Sequence, residues 1–183
     1  IGSPTSGGSV GGMSVETVSG SVVLRDLTVT NNVCSDASDC AMLFLGNGSV
    51  DIQGMVSRGN VATKTGTAWT GNAGFSAQKN SSLRLANAEI SGNVTGDNEV
   101  VSLRASFQDN TGYPPVAVSP LPPVSSTILI ENSTISGNTA NGGYIVYVAT
   151  PGQYTFRNMT VANNAVLGGC GSGMTVQSFA PFS

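Results

Sequence analysis

The sequence contains no histidine. That removes the commonest general acid–base side chain and the commonest nitrogen ligand for a transition metal. Charge is scarce as well: Asp, Glu, Lys and Arg make up 9% of the 183 residues, against a usual quarter. The net charge of −3 argues against nucleic acid as a partner, which wants a basic face. No apolar run reaches the ~18 residues that a membrane-spanning helix needs, so no membrane span is expected. Low charge with abundant Gly, Ser, Thr and Asn would suit a disordered chain. Hydrophobic residues nevertheless reach 39% and arrive in register, so an ordered core is expected instead. The chain opens Ile1-Gly2-Ser3-Pro4 with no signal-peptide pattern and reads as a mature or excised segment.

What is present is a repeat. Ile128 to Asn138 (ILIENSTISGN) gives its clearest copy, and the others are Val22 to Asn32, Val50 to Asn60, Leu83 to Asn93 and Tyr154 to Asn164. Each ends on Asn: Asn32, Asn60, Asn93, Asn138 and Asn164. Three positions earlier stand Val29, Ser57, Ile90, Ile135 and Val161, and eight earlier stand Leu24, Ile52, Leu85, Ile130 and Phe156. Only Gly or Asn precedes the closing Asn, as a left-handed backbone corner requires. A further strand precedes each copy, beginning at Gly12, Ala41, Ala73, Val100 and Tyr144, with a last one at Gly173. The spacing is about 30 residues with one long interval, and no helical period appears.

That pattern predicts an all-β fold: a right-handed parallel β-helix solenoid of about five coils, each of three short strands. Stacking coils about 4.8 Å apart would pair the strands and bury one apolar stripe, with Val29, Ile90, Ile135 and Val161 inward. The closing asparagines would form a ladder, and Asn87, Asn132 and Asn158 a second one. Residues 1–11 read as a Gly/Ser-rich lead-in and 12–183 as a single domain. Residues 107–127, with their Pro-Pro pairs, form an insertion outside the solenoid, either a docking strap or a plain surface loop.

Cys34 and Cys40 flank a polar loop and are expected to form a disulfide, with two free thiols as the alternative. Cys170 is left over, either bridging to a second subunit or buried as a free thiol. Asn-x-Ser/Thr occurs at Asn47, Asn80, Asn93, Asn132 and Asn158. Asn93 is a ladder residue and is set aside. Asn47 and Asn80 in exposed turns are the best glycan sites, and Asn132 and Asn158 are further candidates in which ladder and sugar compete for one amide. Trp69, on the loop after the second copy, either stacks on a sugar face or packs over the side of the solenoid. Asp36 and Asp39 share a loop, as a weak calcium site or a solvated turn. No two acids fall in one strand slot of adjacent coils, so neither the facing carboxylates of a glycosidase nor a metal site is expected. No catalytic residue, metal or cofactor is assigned.

The segments ILIENSTISGNTANGGYIVYV and LRLANAEISGNVTG resemble the repeats of right-handed parallel β-helix proteins of the pectate-lyase-like superfamily. They are most similar to its non-enzymatic branch, the polymorphic outer-membrane proteins, autotransporter passengers and adhesins. The resemblance implies adhesion, surface coating or assembly into extracellular fibres, and it specifies fold far more strongly than function. The chain departs from the lyase branch in lacking histidine and clustered acids. Gly7 to Val15 also resembles Gly168 to Val176, so the last strand repeats the first. The expectation is an extracellular or cell-surface structural glycoprotein that joins head to tail with itself, carries covalent glycans, and uses Cys170, Phe179 and Phe182 at the junction. A carbohydrate-binding adhesin with polysaccharide as partner, or a fragment of a polysaccharide-degrading enzyme, are the alternatives.

Overall fold

A computed structural model describes residues 12–17, 20–35, 40–46, 48–63, 72–78, 82–96, 99–104, 126–149, 152–168 and 173–177. They form nineteen strands and no helix, and every strand pair is parallel. The chain passes repeatedly through the same set of sheets. The first pass is β1 (Met13–Thr17), β2 (Ser21–Arg25), β3 (Thr28–Thr30) and β4 (Val33–Ser35). The second is β5 (Met42–Gly46), β6 (Ser49–Gln53), β7 (Val56–Arg58) and β8 (Val61–Thr63). The third is β9 (Phe75–Gln78), β10 (Ser82–Ala86), β11 (Glu89–Ser91) and β12 (Val94–Thr95). In the fourth, β13 (Val101–Arg104), β14 (Ser126–Ser136) and β15 (Thr139–Ala140), one long bent strand replaces two short ones. The fifth repeats that plan with β16 (Val146–Ala149), β17 (Gly152–Ala162) and β18 (Ala165–Val166), and β19 (Met174–Gln177) follows.

Three parallel sheets result. The first has six strands in the order β1-β5-β9-β13-β16-β19. The second joins the β2 and β3 types of segment through the long strands β14 and β17. The third has five, β18-β15-β12-β8-β4. The third sheet was not foreseen: it is built from two or three residues after each closing Asn, so each pass has four segments where the repeat suggested three. Strand β14 also begins at Ser126, inside the stretch assigned to the insertion. The lead-in, Trp69 and the rest of the insertion lie outside the described residues.

The core forms because alternate side chains of each strand point the same way. In register, Leu24, Ile52, Leu85, Ile130 and Phe156 stack across the second sheet. Phe75, Val101, Leu103, Val146 and Val148 meet them from the first sheet, and Ala140 from the third. Burial of one such aliphatic side chain contributes about 1.5–3 kcal/mol. The column of Val29, Ser57, Ile90, Ile135 and Val161 is inward at its centre, where Ile90 and Ile135 are buried. Val161 departs from expectation: it is 41% exposed, because no described strand covers the fifth pass on its far side. Ser57 interrupts this apolar column and stays satisfied, since its hydroxyl donates to the Gly74 carbonyl at 2.8 Å.

Candidate functional site

Two corners recur in every pass, and each needs a left-handed residue. Asn31, Gly59, Gly92, Gly137 and Asn163 have positive φ at the first. Asp26, Gly54, Asn87, Asn132 and Asn158 have it at the second. Asn and Asp tolerate this region and Gly enters it freely, which is why the composition of both columns is so narrow. The first corner aims the next residue, the closing Asn, along the stack.

There Asn32, Asn60, Asn93, Asn138 and Asn164 are joined in one continuous chain of hydrogen bonds. The backbone N–H and the Nδ2 amide of each residue both donate to Oδ1 of the Asn in the next pass, at 2.8–3.1 Å. The remaining Nδ2 hydrogen of Asn60, Asn93, Asn138 and Asn164 donates backwards, to the carbonyls of Val29, Ser57, Ile90 and Ile135. Asn60, Asn93 and Asn138 are buried, so this satisfaction is obligatory. The chain has a direction. At the first pass, Asn32 Oδ1 accepts from no described residue, and at the fifth, Asn164 N–H and one Nδ2 hydrogen donate to none.

The second corner is exposed. Asn158 Nδ2 donates to Asn132 Oδ1 at 3.0 Å, and no comparable bond links Asn87 to Asn132 among the described residues. Asn132 and Asn158 therefore stand at the surface, while Asn93 is buried. Asn47 and Asn80 lie outside the described residues. Beside this corner a shallow groove crosses three passes, lined by Met55 and Val56 in the second, Asn87, Ala88 and Glu89 in the third, and Asn132 and Thr134 in the fourth.

Cys34 and Cys40 form a disulfide, with Cα atoms 5.6 Å apart, and pack with Ala62 and Ala73 in a small cluster of their own. Cys170, Phe179 and Phe182 lie outside the described residues.

The repeat reading missed a column of charge on the outer side of the second sheet. Arg84 donates to Glu131 at 2.7 and 2.9 Å and to Asp51 at 3.1 Å, and Arg157 reaches Glu131 from the other side. Arg25 continues the line by donating to Gln53 at 2.5 Å, and Gln53 donates to Asp51. Charge thus alternates along the stack as Arg25, Asp51, Arg84, Glu131, Arg157. Hydrogen bonds from Arg157 and then Arg84 hold the Glu131 carboxyl below its ordinary range. A carboxylate so held accepts hydrogen bonds at neutral pH and has no proton to donate. The two acids occupy different columns, which is why aligning single slots did not bring them together. A second exposed pair joins Arg58 to Glu89 at 2.6 Å. Among the described residues, no three of His, Cys, Asp and Glu gather as a metal site, and no helix is long and apolar enough to cross a membrane. Asp36 and Asp39 lie outside those residues.

Comparison with protein-family models, curated proteins and solved structures returned no match.

Proposed function

We propose that the three sheets wrap a right-handed parallel β-helix of about five coils, and that this β-helix is a structural extracellular subunit that joins end to end with copies of itself. The observation that carries the proposal is the direction of the asparagine chain. Its two ends are complementary: among the described residues, Asn164 has two donors and Asn32 one acceptor left over from the chain. A second copy placed beyond the fifth pass would satisfy both, and Asn32 Nδ2 of that copy would reach the Val161 carbonyl of the first. The contact is heterologous, so it continues as a filament. Apolar side chains support the same reading. Leu24, Leu27 and Val29 at one end, and Phe156, Met159 and Val161 at the other, are only partly covered. The Cys34–Cys40 disulfide favours an oxidising compartment, and the exposed sequons at Asn132 and Asn158 suit a glycoprotein.

Sedimentation and electron microscopy of protein from its native source test this. Concentration-dependent particles with an axial repeat near 24 Å, five strand spacings, are expected. A protein that remains monomeric at high concentration overturns the proposal. A second reading, a polysaccharide-binding adhesin, is favoured by the groove of mixed polar and apolar lining at Asn87 and Asn132. Binding of neutral glucans or pectins that is lost in Asn87→Ala would support it.

A further inference from the structure

Resting on the end-to-end reading, we propose that copies join by strand exchange: β19 of one copy takes the place of β1 in the next. The two strands are nearly the same segment. β1 opens Met-Ser-Val-Glu and ends on Thr17, and β19 is Met-Thr-Val-Gln. Each follows a glycine, Gly12 or Gly173. They are the opposite edges of the first sheet, with β1 on β5 and β19 on β16.

The strand count shows why exchange is needed. Among the described residues the first sheet has six strands, and the second and third have five levels each. Laying β1 of one copy onto β19 of another would hold the other two sheets a full strand spacing, about 4.8 Å, too far apart to pair. Removing the duplicated strand closes that gap. With β19 in the β1 position, β17 lies against β2 of the next copy and β18 against β4. Asn164 then meets Asn32 at ladder distance, and all three sheets run on without a break.

Gly173 points the same way. A Cβ added there would meet nothing within 4 Å, and its φ is not in the left-handed region, so its own surroundings do not demand glycine. At Gly12 an added Cβ would lie 2.1 Å from the Ala41 carbonyl oxygen. The β1 position therefore admits only a strand preceded by glycine, and β19 has one. Met13 and Val15 pack against the core from this position, and Met174 and Val176 match them in kind and spacing. Met174 is 41% exposed where it now lies. In the exchanged position it would stand beside Met42 of the next copy, as Met13 does within one copy. Exchange of identical elements is a low-cost route to assembly, because lost contacts are replaced in kind.

Paired cysteines in a Cys170→Ser background decide the matter. Exchange brings position 175 beside position 43 of the next copy, so Thr175→Cys/Leu43→Cys should give a ladder of disulfide-linked multimers on a non-reducing gel. The two positions are several passes apart within one copy and cannot cross-link internally. Ser14→Cys/Leu43→Cys joins two positions in register within one copy. Its oxidised form pins β1 and should stop assembly, and reduction should restore it, while the Cys170→Ser parent assembles under both conditions. Circular dichroism of each variant checks that the fold is intact. If Thr175→Cys cross-links to Ser14→Cys and not to Leu43→Cys, and pinning β1 has no effect, copies stack without exchange and this inference is wrong. If no pair gives multimers and the parent stays monomeric, the end-to-end reading falls, and the exchange with it.

Discussion

Ile130 and Leu24 occupy the same register column of the second sheet, three passes apart. Ile130 is 1% exposed, whereas Leu24 is only partly buried. Their chemistry is almost equal, and the strands that carry them have the same alternation. What differs is the neighbour: Ile130 has a pass on either side, and Leu24 has one on a single side among the described residues. The same contrast runs through the asparagine chain, where Asn93 is saturated and Asn32 is half-satisfied. In a stack of repeats, a residue's contribution is set by its level as much as by its type. The largest test of that contrast is Ile130→Ala against Leu24→Ala. The first should cost about 3–4 kcal/mol in urea unfolding, and the second about half as much. Equal losses would mean that Leu24 is covered in solution, as it would be in an assembled filament. Repeating the measurement at high dilution separates the two cases.

The asparagine chain gives the next effect. Asn93→Ala removes the acceptor for Asn60 N–H and Nδ2, and the donor to the Ser57 carbonyl, all at buried residues. Leaving these groups unpaired should cost about 2–3 kcal/mol. Asn32→Ala removes one donor to Asn60 Oδ1, its Nδ2, at a partly exposed level while the backbone N–H donor stays, and should cost about 1 kcal/mol or less in the monomer. The contrast sharpens if Asn32→Ala also weakens assembly, since this residue supplies the acceptor at the proposed junction. Chemical unfolding and sedimentation of the same samples give both readings.

How far these features were legible depends on how each is encoded. The closing asparagines could be read directly, because a side-chain chain along the stack requires one residue type at one offset in every pass. The corner before them was equally plain, since Gly and Asn are the residues that tolerate it. The third sheet was not. Its strands are two or three residues long, such as Val61–Thr63, Thr139–Ala140 and Ala165–Val166, too short to show an alternating period. Cys34 lies in one of them, so the disulfide was visible as a pair of cysteines but not as a staple from this sheet. The charged column was hidden for a different reason. Arg84 touches Asp51 in its own column and Glu131 in the next, and more than forty residues separate Arg84 from Glu131.

Acid should separate two glutamates within the stack. Glu131 lies between Arg157 and Arg84 and is nearly covered, while Glu89 is more exposed and leans on Arg58 and Ser91. Both carboxyls titrate below their ordinary value in the folded protein. A depressed pKa contributes stability that is present above the unfolded pKa and lost as pH falls through the folded one. The loss should therefore begin below about pH 4.5 and deepen with further acid. Glu131→Gln should flatten this acid limb more than Glu89→Gln, as read from thermal midpoints across about pH 2–6. The reverse order would show that the exposed pair matters more than the central one.

The smallest effect belongs to the junction. Along the second sheet, Arg25, Gln53, Ala86, Glu131 and Arg157 share one register column, so both ends of that column carry Arg. Within the molecule charge alternates, because Asp51 and Glu131 separate the three arginines. If the first pass of one copy follows the fifth pass of another, Arg25 falls beside Arg157 and the alternation breaks. Like charges directly opposite on neighbouring strands are destabilising, by about 0.2–1 kcal/mol at an exposed position. Arg25→Glu restores the alternation, and its carboxylate can still accept from Gln53. Assembly of this variant should reach its midpoint at a concentration about two- to five-fold lower than that of the parent in dilute buffer. The advantage should shrink in about 0.5 M salt, where the screening length falls to a few ångström. Light scattering over a dilution series at both salt levels measures it. A parent and variant that assemble alike at low salt would show that the two arginines never meet. The terminal passes would then be true ends, distinct in kind from the central ones.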